Sequence, residues 1–329
     1  MTILRRCFVC SADMLGPSGR HLVYPCGRRR AFPLACGSCG VLIAPEADPA
    51  RCRRDLGRRL LLPVFVPDAD APYGLDLYTL RSAATRLGRG VSPIGAEDRE
   101  ALRHPHASRA AQARLFALET AEGRPVSLGL ICRPAERDAV LATLAPHAAW
   151  TDDVAILLDA PAAGPETVPV AGFPHGSVRA ASRPLDGDFA AHRNALQDLA
   201  RRPWMLQLDA DEVLAPAAGR LLPRLAALAE AGEVLSVGLA RRNLVDGVLS
   251  DVYPDVQYRL NRVEVRYGGR VHERPLLDGW PRSFISLHGA IEHHLARAHV
   301  LARSQRYEAL APGRGRPEEE EALLRPYSD

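Results

Sequence analysis

The 329-residue chain contains no lysine, so all 42 residues counted as Lys or Arg are arginines. Schiff-base catalysis, P-loop phosphate binding and kinase-type phosphoryl transfer each depend on a lysine, and the sequence therefore excludes them. Together with abundant Ala, Pro and Gly, the lack of lysine indicates the coding bias of a GC-rich genome. A diphosphate ligand would have to be neutralised by arginine or by a bound metal ion.

Aromatic residues make up only 5% of the chain, and 42 basic residues against 39 acidic ones leave a net charge of +3. Nucleic-acid binding needs a basic surface, often with interleaved aromatic rings, so we expect no nucleic-acid partner. Long hydrophobic runs are also missing, since the run at residues 60–66 contains Pro63 and is too short to span a membrane. The hydrophobic fraction of 47% is typical of a globular protein with a sizeable core.

Cysteine is concentrated at one end, because six of the seven cysteines precede residue 53. Cys132 lies alone in an apolar stretch, where we expect a buried, inert side chain. The start of the sequence has no apolar signal segment. We therefore expect reduced thiols and a cytoplasmic protein.

Two pairs of cysteines, Cys7-x-x-Cys10 and Cys36-x-x-Cys39, predict a structural Zn²⁺ site with four thiolate ligands. A segment of about fifty residues buries too little apolar surface to fold unaided, so a metal would stabilise it. We expect residues 1–52 to form a zinc-ribbon-like module. Free thiols and a redox dithiol are the alternatives, and the other candidate ligands are His21, Cys26 and Cys52.

Residues 53–123 show no catalytic constellation, and the spacing of their apolar residues predicts helices over 76–87 and 97–120. We expect a helical connector here. From residue 124, apolar runs at 125–132, 154–159 and 204–209 alternate with helical patterns at 134–144 and 189–200.

This alternation predicts an α/β domain over residues 124–311 with a mainly parallel sheet. Ligands of such sheets bind at the carboxyl ends of the strands, where Asp159 and Asp209 fall. The remaining residues, 312–329, contain four consecutive glutamates and predict a solvated acidic tail.

Asp209-Ala-Asp211 directly follows the third of these apolar runs. Two carboxylates at positions i and i+2 can hold Mg²⁺ or Mn²⁺ and leave coordination positions open for phosphate oxygens. The alternative is that both aspartates are turn or helix-cap residues. Further motifs accompany the pair: Phe189-Ala-Ala-His-Arg193-Asn194 upstream, and Arg259-Leu260, Val271-His272-Glu273 and the late His293 downstream.

This ordered set, over residues 124–311, resembles family 2 glycosyltransferases, in the branch of the lipopolysaccharide-core and peptide S-glycosyltransferases. The resemblance implies a GT-A fold and inverting transfer from a nucleotide-sugar donor. The acceptor would be a glycan, a lipid-linked molecule or a protein, and the enzyme would lie peripherally at the inner membrane.

The resemblance also implies roles for individual residues. Asp159 would contact the nucleotide base or ribose, and Arg193 and Asn194 would bind near the phosphates. Asp209 and Asp211 would hold Mn²⁺ or Mg²⁺, with His272 or His293 completing the coordination. Glu273 is the first candidate for the general base and Asp255 the second.

Two departures from the family pattern fall on the nucleotide side: the first strand runs into Arg133-Pro134, and Asp159 is followed by Ala-Pro-Ala-Ala-Gly. A non-catalytic binding protein on a degenerate glycosyltransferase domain is therefore the competing hypothesis. The competing role for Glu273 is a solvated ion pair with Arg270 or Arg274.

Overall fold

A computed structural model describes residues 5–310, 312–313 and 317–328. Short strands and helices make up the first part of the chain: β1 (Leu15–Pro17), β2 (His21–Val23), β3 (Arg29–Ala31), β4 (Leu34–Cys36), β5 (Leu42–Ile43), α1 (Pro49–Leu60), β6 (Val64–Phe65), β7 (Tyr73–Gly74), α2 (Leu77–Thr85), β8 (Arg89–Pro93), α3 (Ala96–Arg103) and β9 (Ala113–Ala117). They form a sheet of order β1-β4-β5-β7, the hairpin β2-β3 and a sheet of order β6-β9-β8.

Helix α1 begins at an N-cap, Asp48, whose side chain accepts a hydrogen bond from Arg51 N at 2.6 Å. The helix runs across the expected boundary near residue 53. Strand β7 pairs with β5, and one hydrophobic cluster joins Cys7 and Cys36 to residues as distant as Leu115. Residues 1–52 therefore share a sheet and a core with the segment that follows them.

The prediction for residues 76–87 is confirmed by α2, but the predicted helix over 97–120 is wrong beyond Arg103, where α3 ends. Residues 113–117 form strand β9 between β6 and β8. The physical reason is tertiary: in β9, Ala113 and Leu115 point into the core while Arg114 is exposed, which is the alternation of a strand. The connector is thus mixed and not helical.

The second part of the chain consists of β10 (Val126–Cys132), α4 (Arg137–Ala142), β11 (Val154–Leu158), β12 (Ala163–Thr167), β13 (Val178–Ser182), α5 (Phe189–Asp198), β14 (Trp204–Asp209), β15 (Glu212–Leu214), α6 (Pro216–Gly219), α7 (Leu222–Ala231), β16 (Ser236–Val245), β17 (Val248–Leu249), β18 (Asp255–Arg262), β19 (Tyr267–Gly268), β20 (Arg274–Pro275), β21 (Ser283–Leu295), α8 (Arg297–Leu310) and α9 (Pro317–Leu324). The apolar runs predicted as strands are β10, β11 and β14.

One large sheet has the order β12-β13-β11-β10-β14-β18-β16-β21-β15, with β17 paired to β16. Strands β13, β11, β10 and β14 are parallel neighbours, whereas β18 pairs antiparallel with both β14 and β16. The expected mainly parallel sheet is therefore mixed. The fold is α/β, and its strand order places the ends of β10, β11 and β14 side by side.

The acidic tail is less solvated than expected. Leu323 of α9 is 3% exposed and packs with Val245 and Leu295, and Tyr327 N donates to Leu249 O at 2.8 Å. Arg6, next to the first cysteine, donates to Ser328 O at 2.7 Å. The end of the chain thus lies between the cysteine-rich part and the large sheet. Among the described helices, none has both the length and the apolar character needed to cross a bilayer.

Two glycines in helices lead to opposite expectations for alanine substitution. A Cβ on Gly219 would lie 2.3 Å from Trp150 Nε1, whereas a Cβ on Gly57 would meet nothing within 4 Å. Gly219→Ala should cost about 1–3 kcal/mol through overpacking, and Gly57→Ala should add about 0.5–1 kcal/mol through helix propensity. Urea unfolding of both variants measures the difference, and destabilisation by Gly57→Ala would contradict the described packing.

Candidate functional site

The four predicted zinc ligands come together in the structure. The Sγ atoms of Cys7, Cys10, Cys36 and Cys39 all lie within 4.8 Å of one another, and all four residues are buried. The distances Cys7–Cys39 and Cys10–Cys36 are each 3.6 Å between sulfurs. Four sulfurs at 2.3 Å from a tetrahedral Zn²⁺ would be about 3.8 Å apart, so this cluster could hold such an ion.

The two halves of the cluster have the same backbone design. Ser11 N donates to Cys7 O at 2.8 Å, and Gly40 N donates to Cys36 O at 2.9 Å. Ser11 and Gly40 both have positive φ, 66° and 86°, so each CxxC turn closes in the left-handed region. Hydrogen bonds from the neighbouring thiols, Cys10 first, hold the pKa of Cys36 far below its ordinary range. A thiolate in such a group favours a bound cation.

The other candidate ligands lie elsewhere. Cys26 is exposed in the β2-β3 turn, Cys52 is on the buried face of α1, and the ring of His21 lies near Arg29. The cluster consists of the two CxxC pairs.

A second candidate site is a cavity of about 670 Å³ at the carboxyl ends of β10, β11 and β14. Cys132, Asp159 and Asp209 line it from these three strand ends, as expected for such a sheet. Helices α5 and α8 also contribute to the cavity wall. Their rings Phe189 and Tyr307 pack edge to face, with 6.0 Å between the ring centroids. The volume is in the range of cofactor and substrate sites.

Arg193 and Asp209 form the centre of a buried ion-pair network. Helix α5, capped by Asp188, carries Arg193, which is 3% exposed. Its Nη2 donates to Asp209 Oδ1 and Oδ2 at 2.8 and 2.9 Å, and Arg259 Nη2 donates to Asp209 Oδ2 at 3.0 Å. Burial alone would raise the pKa of Asp209, but the two arginine charges outweigh it and hold the pKa below the ordinary range.

Glu273 belongs to the same network. Its Oε1 accepts a hydrogen bond from Arg193 Nε and lies 3.8 Å from Arg259 Nη1. Burial raises the pKa of Glu273, yet the charges of Arg193 and Arg259 bring it below its usual value. The expected alternative pairing with Arg270 or Arg274 is wrong, because the partners come from α5 and β18. Glu273 Oε2 has no hydrogen bond to the described residues, and the side chain lines the cavity.

Asp211 and His293 meet at the cavity wall. His293 Nε2 lies 3.3 Å from Asp211 Oδ2, and its Nδ1 lies 2.7 Å from Asn243 Oδ1. The side chain of Asp211 is 38% exposed, whereas that of His293 is 5% exposed. Burial raises the pKa of Asp211, and the contact with His293 more than offsets this, so the net pKa is lowered. A carboxylate and an imidazole nitrogen facing each other are suited to bind a divalent cation.

Asp255, the second candidate base, is saturated with hydrogen bonds. Oδ2 accepts from Arg241 Nε and Nη2 at 2.9 and 2.6 Å and from Asn243 Nδ2 at 3.0 Å, and Oδ1 accepts from Gln257 Nε2 at 2.6 Å. Burial would raise the pKa of Asp255, but Arg241 and these donors lower it to about 2. A carboxylate so engaged is poorly placed to take a proton from an acceptor.

The remaining predicted residues divide between the cavity and the scaffold. Asp159 lines the cavity, and its Oδ1 accepts from Leu185 N at 2.9 Å. His272 also lines it, with its ring 5.0 Å from that of Tyr307. Asn194 does not appear among the described residues of the cavity wall, because its amide donates to Tyr267 O at 3.0 Å and accepts from Tyr267 N at 2.7 Å. These two hydrogen bonds tie α5 to β19, and phosphate binding by Asn194 stays a prediction.

Sequence reasoning missed Arg241 and Asn243 and assigned no role to Gln257. A signal was present: Arg241 and Asn243 on β16, and Asp255, Gln257 and Arg259 on β18, recur every second residue within largely buried strands. Polar side chains at a period of two share one face of a strand. Cys132 was expected to be inert, yet it lies in the cavity wall.

No family model matches the chain, and no curated protein matches it in sequence. Similar solved structures include a crystal structure of S. aureus TarS 1-349, which covers 61% of this chain and 69% of that chain at 8% identity and a TM-score of 0.33. A second crystal structure, of S. aureus TarS, covers 61% of this chain and 42% of that chain, at 9% identity and a TM-score of 0.34. The chain therefore spans less than half the length of this second structure. At such low identity and TM-score, these likenesses do not assign a family or a function to the chain.

Proposed function

We propose that the chain is an inverting, divalent-metal-dependent glycosyltransferase that transfers a sugar from a nucleotide-sugar donor to a glycan, lipid-linked or protein acceptor. The observation that carries the proposal is the pairing of Asp211 with His293 at a cavity on the carboxyl edge of the sheet. The motif resemblance over residues 124–311 supports the same reading. The donor would occupy the cavity, with its diphosphate near Asp211.

The charges around the cavity are consistent with a need for a metal ion. Six arginines and seven carboxylates are among the described residues that line it. Most of the arginine charge nearest Asp209 is already neutralised by ion pairs, so the wall by itself offers little net positive charge to a diphosphate. A divalent cation held by Asp211 and His293 would supply the missing charge and stabilise the leaving nucleoside diphosphate.

Asp209 would act through Arg193 and Arg259 more than as a direct metal ligand, because both of its oxygens accept bonds from guanidinium groups. This arrangement holds the two arginines in the cavity wall. Arg193 Nη1 is buried without a hydrogen-bond partner among the described residues, and it is a donor for a phosphate oxygen.

Glu273 is the better candidate for the general base. Its lowered pKa keeps the carboxylate ionised at neutral pH, and Oε2 is left to receive the proton of the acceptor hydroxyl. Asp255 has no comparable oxygen and would serve as a scaffold for Arg241 and Asn243.

The four-cysteine cluster would hold structural Zn²⁺. All four ligands are protein thiols, which leaves no open coordination position for catalysis. The cluster is part of the same hydrophobic core as α1 and α2. The ion would therefore stabilise the segment that packs against the catalytic sheet.

A panel of UDP- and GDP-sugars, with and without Mn²⁺, tests the proposal. The full chain, purified with its zinc, should bind one donor tightly only when Mn²⁺ is present, and should release nucleoside diphosphate slowly by hydrolysis. Calorimetry and diphosphate release are the measurements. Tight binding without any turnover would favour the non-catalytic alternative, and a lack of binding across the panel would contradict a donor site.

A further inference from the structure

Two polar side chains, Asn243 and Asp255, lie in series behind the Asp211–His293 pair. Asn243 on β16 is directly opposite His293 on β21, and it reaches Asp255 at the start of β18. Asn243 is 1% exposed and His293 is 4% exposed. The links measure 3.0 Å from Asn243 Nδ2 to Asp255 Oδ2 and 2.7 Å from His293 Nδ1 to Asn243 Oδ1.

The ionised state of Asp255 determines which atoms donate and which accept in this series of hydrogen bonds. Arg241 keeps Asp255 ionised, so its carboxylate can only accept hydrogen bonds. Asn243 must therefore turn its NH₂ group toward Asp255 and its carbonyl oxygen toward His293. A carbonyl oxygen can only accept, so Nδ1 of His293 must carry a hydrogen.

We propose that Asn243, held by Asp255, is a positioning residue that fixes His293 in the Nδ1–H tautomer and keeps the Nε2 lone pair directed at Asp211, ready for a divalent cation. The inference rests on the proposed metal site and adds to it the residues that orient its imidazole ligand. Asp255 acts here by positioning Asn243, which replaces its expected role as a base.

The positioning is needed because Asp211 itself favours the other tautomer. Its carboxylate lies 3.3 Å from Nε2 and would attract a hydrogen there. An Nε2–H···Oδ2 bond would close the pair and remove the nitrogen from metal binding. The buried hydrogen bond to Asn243 opposes that pull, as the partner of the second nitrogen commonly does for metal-binding histidines.

Nitrogen-15 NMR of the full chain, labelled at its 11 histidines, reads the tautomer directly without metal or donor. The His293→Gln spectrum identifies the His293 signals. In its neutral form the wild-type ring should carry its hydrogen on Nδ1. A neutral ring with its hydrogen on Nε2 in the wild-type protein would overturn the proposal, whatever the variants show.

Asn243→Ala should shift His293 toward the Nε2–H tautomer and weaken Mn²⁺ binding by about 10–100-fold. Gln257→Leu is the matched control, because it also removes a donor to Asp255 but leaves the Asn243–His293 contact intact. Near-UV circular dichroism checks the fold, and Asn243→Ser gives a second variant. An unchanged tautomer in a folded Asn243 variant would refute the positioning role. If wild-type protein shows the Nδ1–H form but binds no Mn²⁺, the proposed metal site fails and the tautomer assignment stands.

Discussion

Cys36→Ser is expected to prevent the cysteine cluster from binding Zn²⁺ and to unfold residues 5–118 while the large sheet persists. Cys36 is one of four buried thiols whose sulfurs lie within 4.8 Å of one another, so its replacement leaves an incomplete set of zinc ligands. Zn²⁺ binding at such sites contributes roughly 10–16 kcal/mol, as much as the whole stability of an ordinary domain. Without the ion, the short strands around the cluster keep only the hydrophobic core that they share with α1 and α2.

Metal analysis and hydrogen-exchange mass spectrometry measure this outcome. Wild-type protein should contain one zinc per chain and protect α1 and α2 from exchange, and Cys36→Ser should lose both. Cys26→Ser is the matched control, because Cys26 is exposed and lies outside the cluster. Retention of one zinc and full protection in Cys36→Ser would show that the cluster is not a metal site.

Asp211→Asn should reduce the affinity for Mn²⁺ by at least about 100-fold, more than the loss expected for a residue that only orients a ligand. The reason is the loss of the only carboxylate charge in direct contact with His293 among the described residues. Donor hydrolysis should fall in parallel, because in the proposed mechanism the ion would neutralise the leaving diphosphate.

Electron paramagnetic resonance of free Mn²⁺ measures the affinity, and diphosphate release measures hydrolysis. Glu292→Gln is the control: it changes one carboxylate next to His293 in sequence, but adjacent strand residues point to opposite faces, and Glu292 pairs with Arg242. Equal losses of Mn²⁺ affinity in both variants would mean that the loss comes from the overall negative charge of the region and not from a specific ligand. Unchanged hydrolysis by Asp211→Asn with a cognate donor would contradict the metal assignment.

Local patterns in the sequence were enough to predict several features of the fold. The CxxC spacing identified the four cysteines that cluster, and the apolar runs identified β10, β11 and β14. Asp159 and Asp209 were placed at strand ends, and both line the cavity. These features depend on spacing within a few residues, which is why a single sequence reveals them.

The partners of the site residues were decided by tertiary structure. Glu273 pairs with Arg193, 80 residues away, and not with its neighbours Arg270 or Arg274. His293 contacts Asn243, 50 residues away, through the register of β16 and β21. Strand register over such distances depends on how whole sheets pack, and no local pattern encodes it.

The same limit explains the errors in the fold. Strand β9 looked helical because its apolar residues fit either period over a short window, and only its place between β6 and β8 decides the matter.

The missing lysine has a clearer consequence: the sequence alone dictates that every strong cation in the cavity wall is an arginine. The structure adds that the arginines nearest Asp209 and Asp255 are already paired with carboxylates, since a buried charge is stable only with a partner.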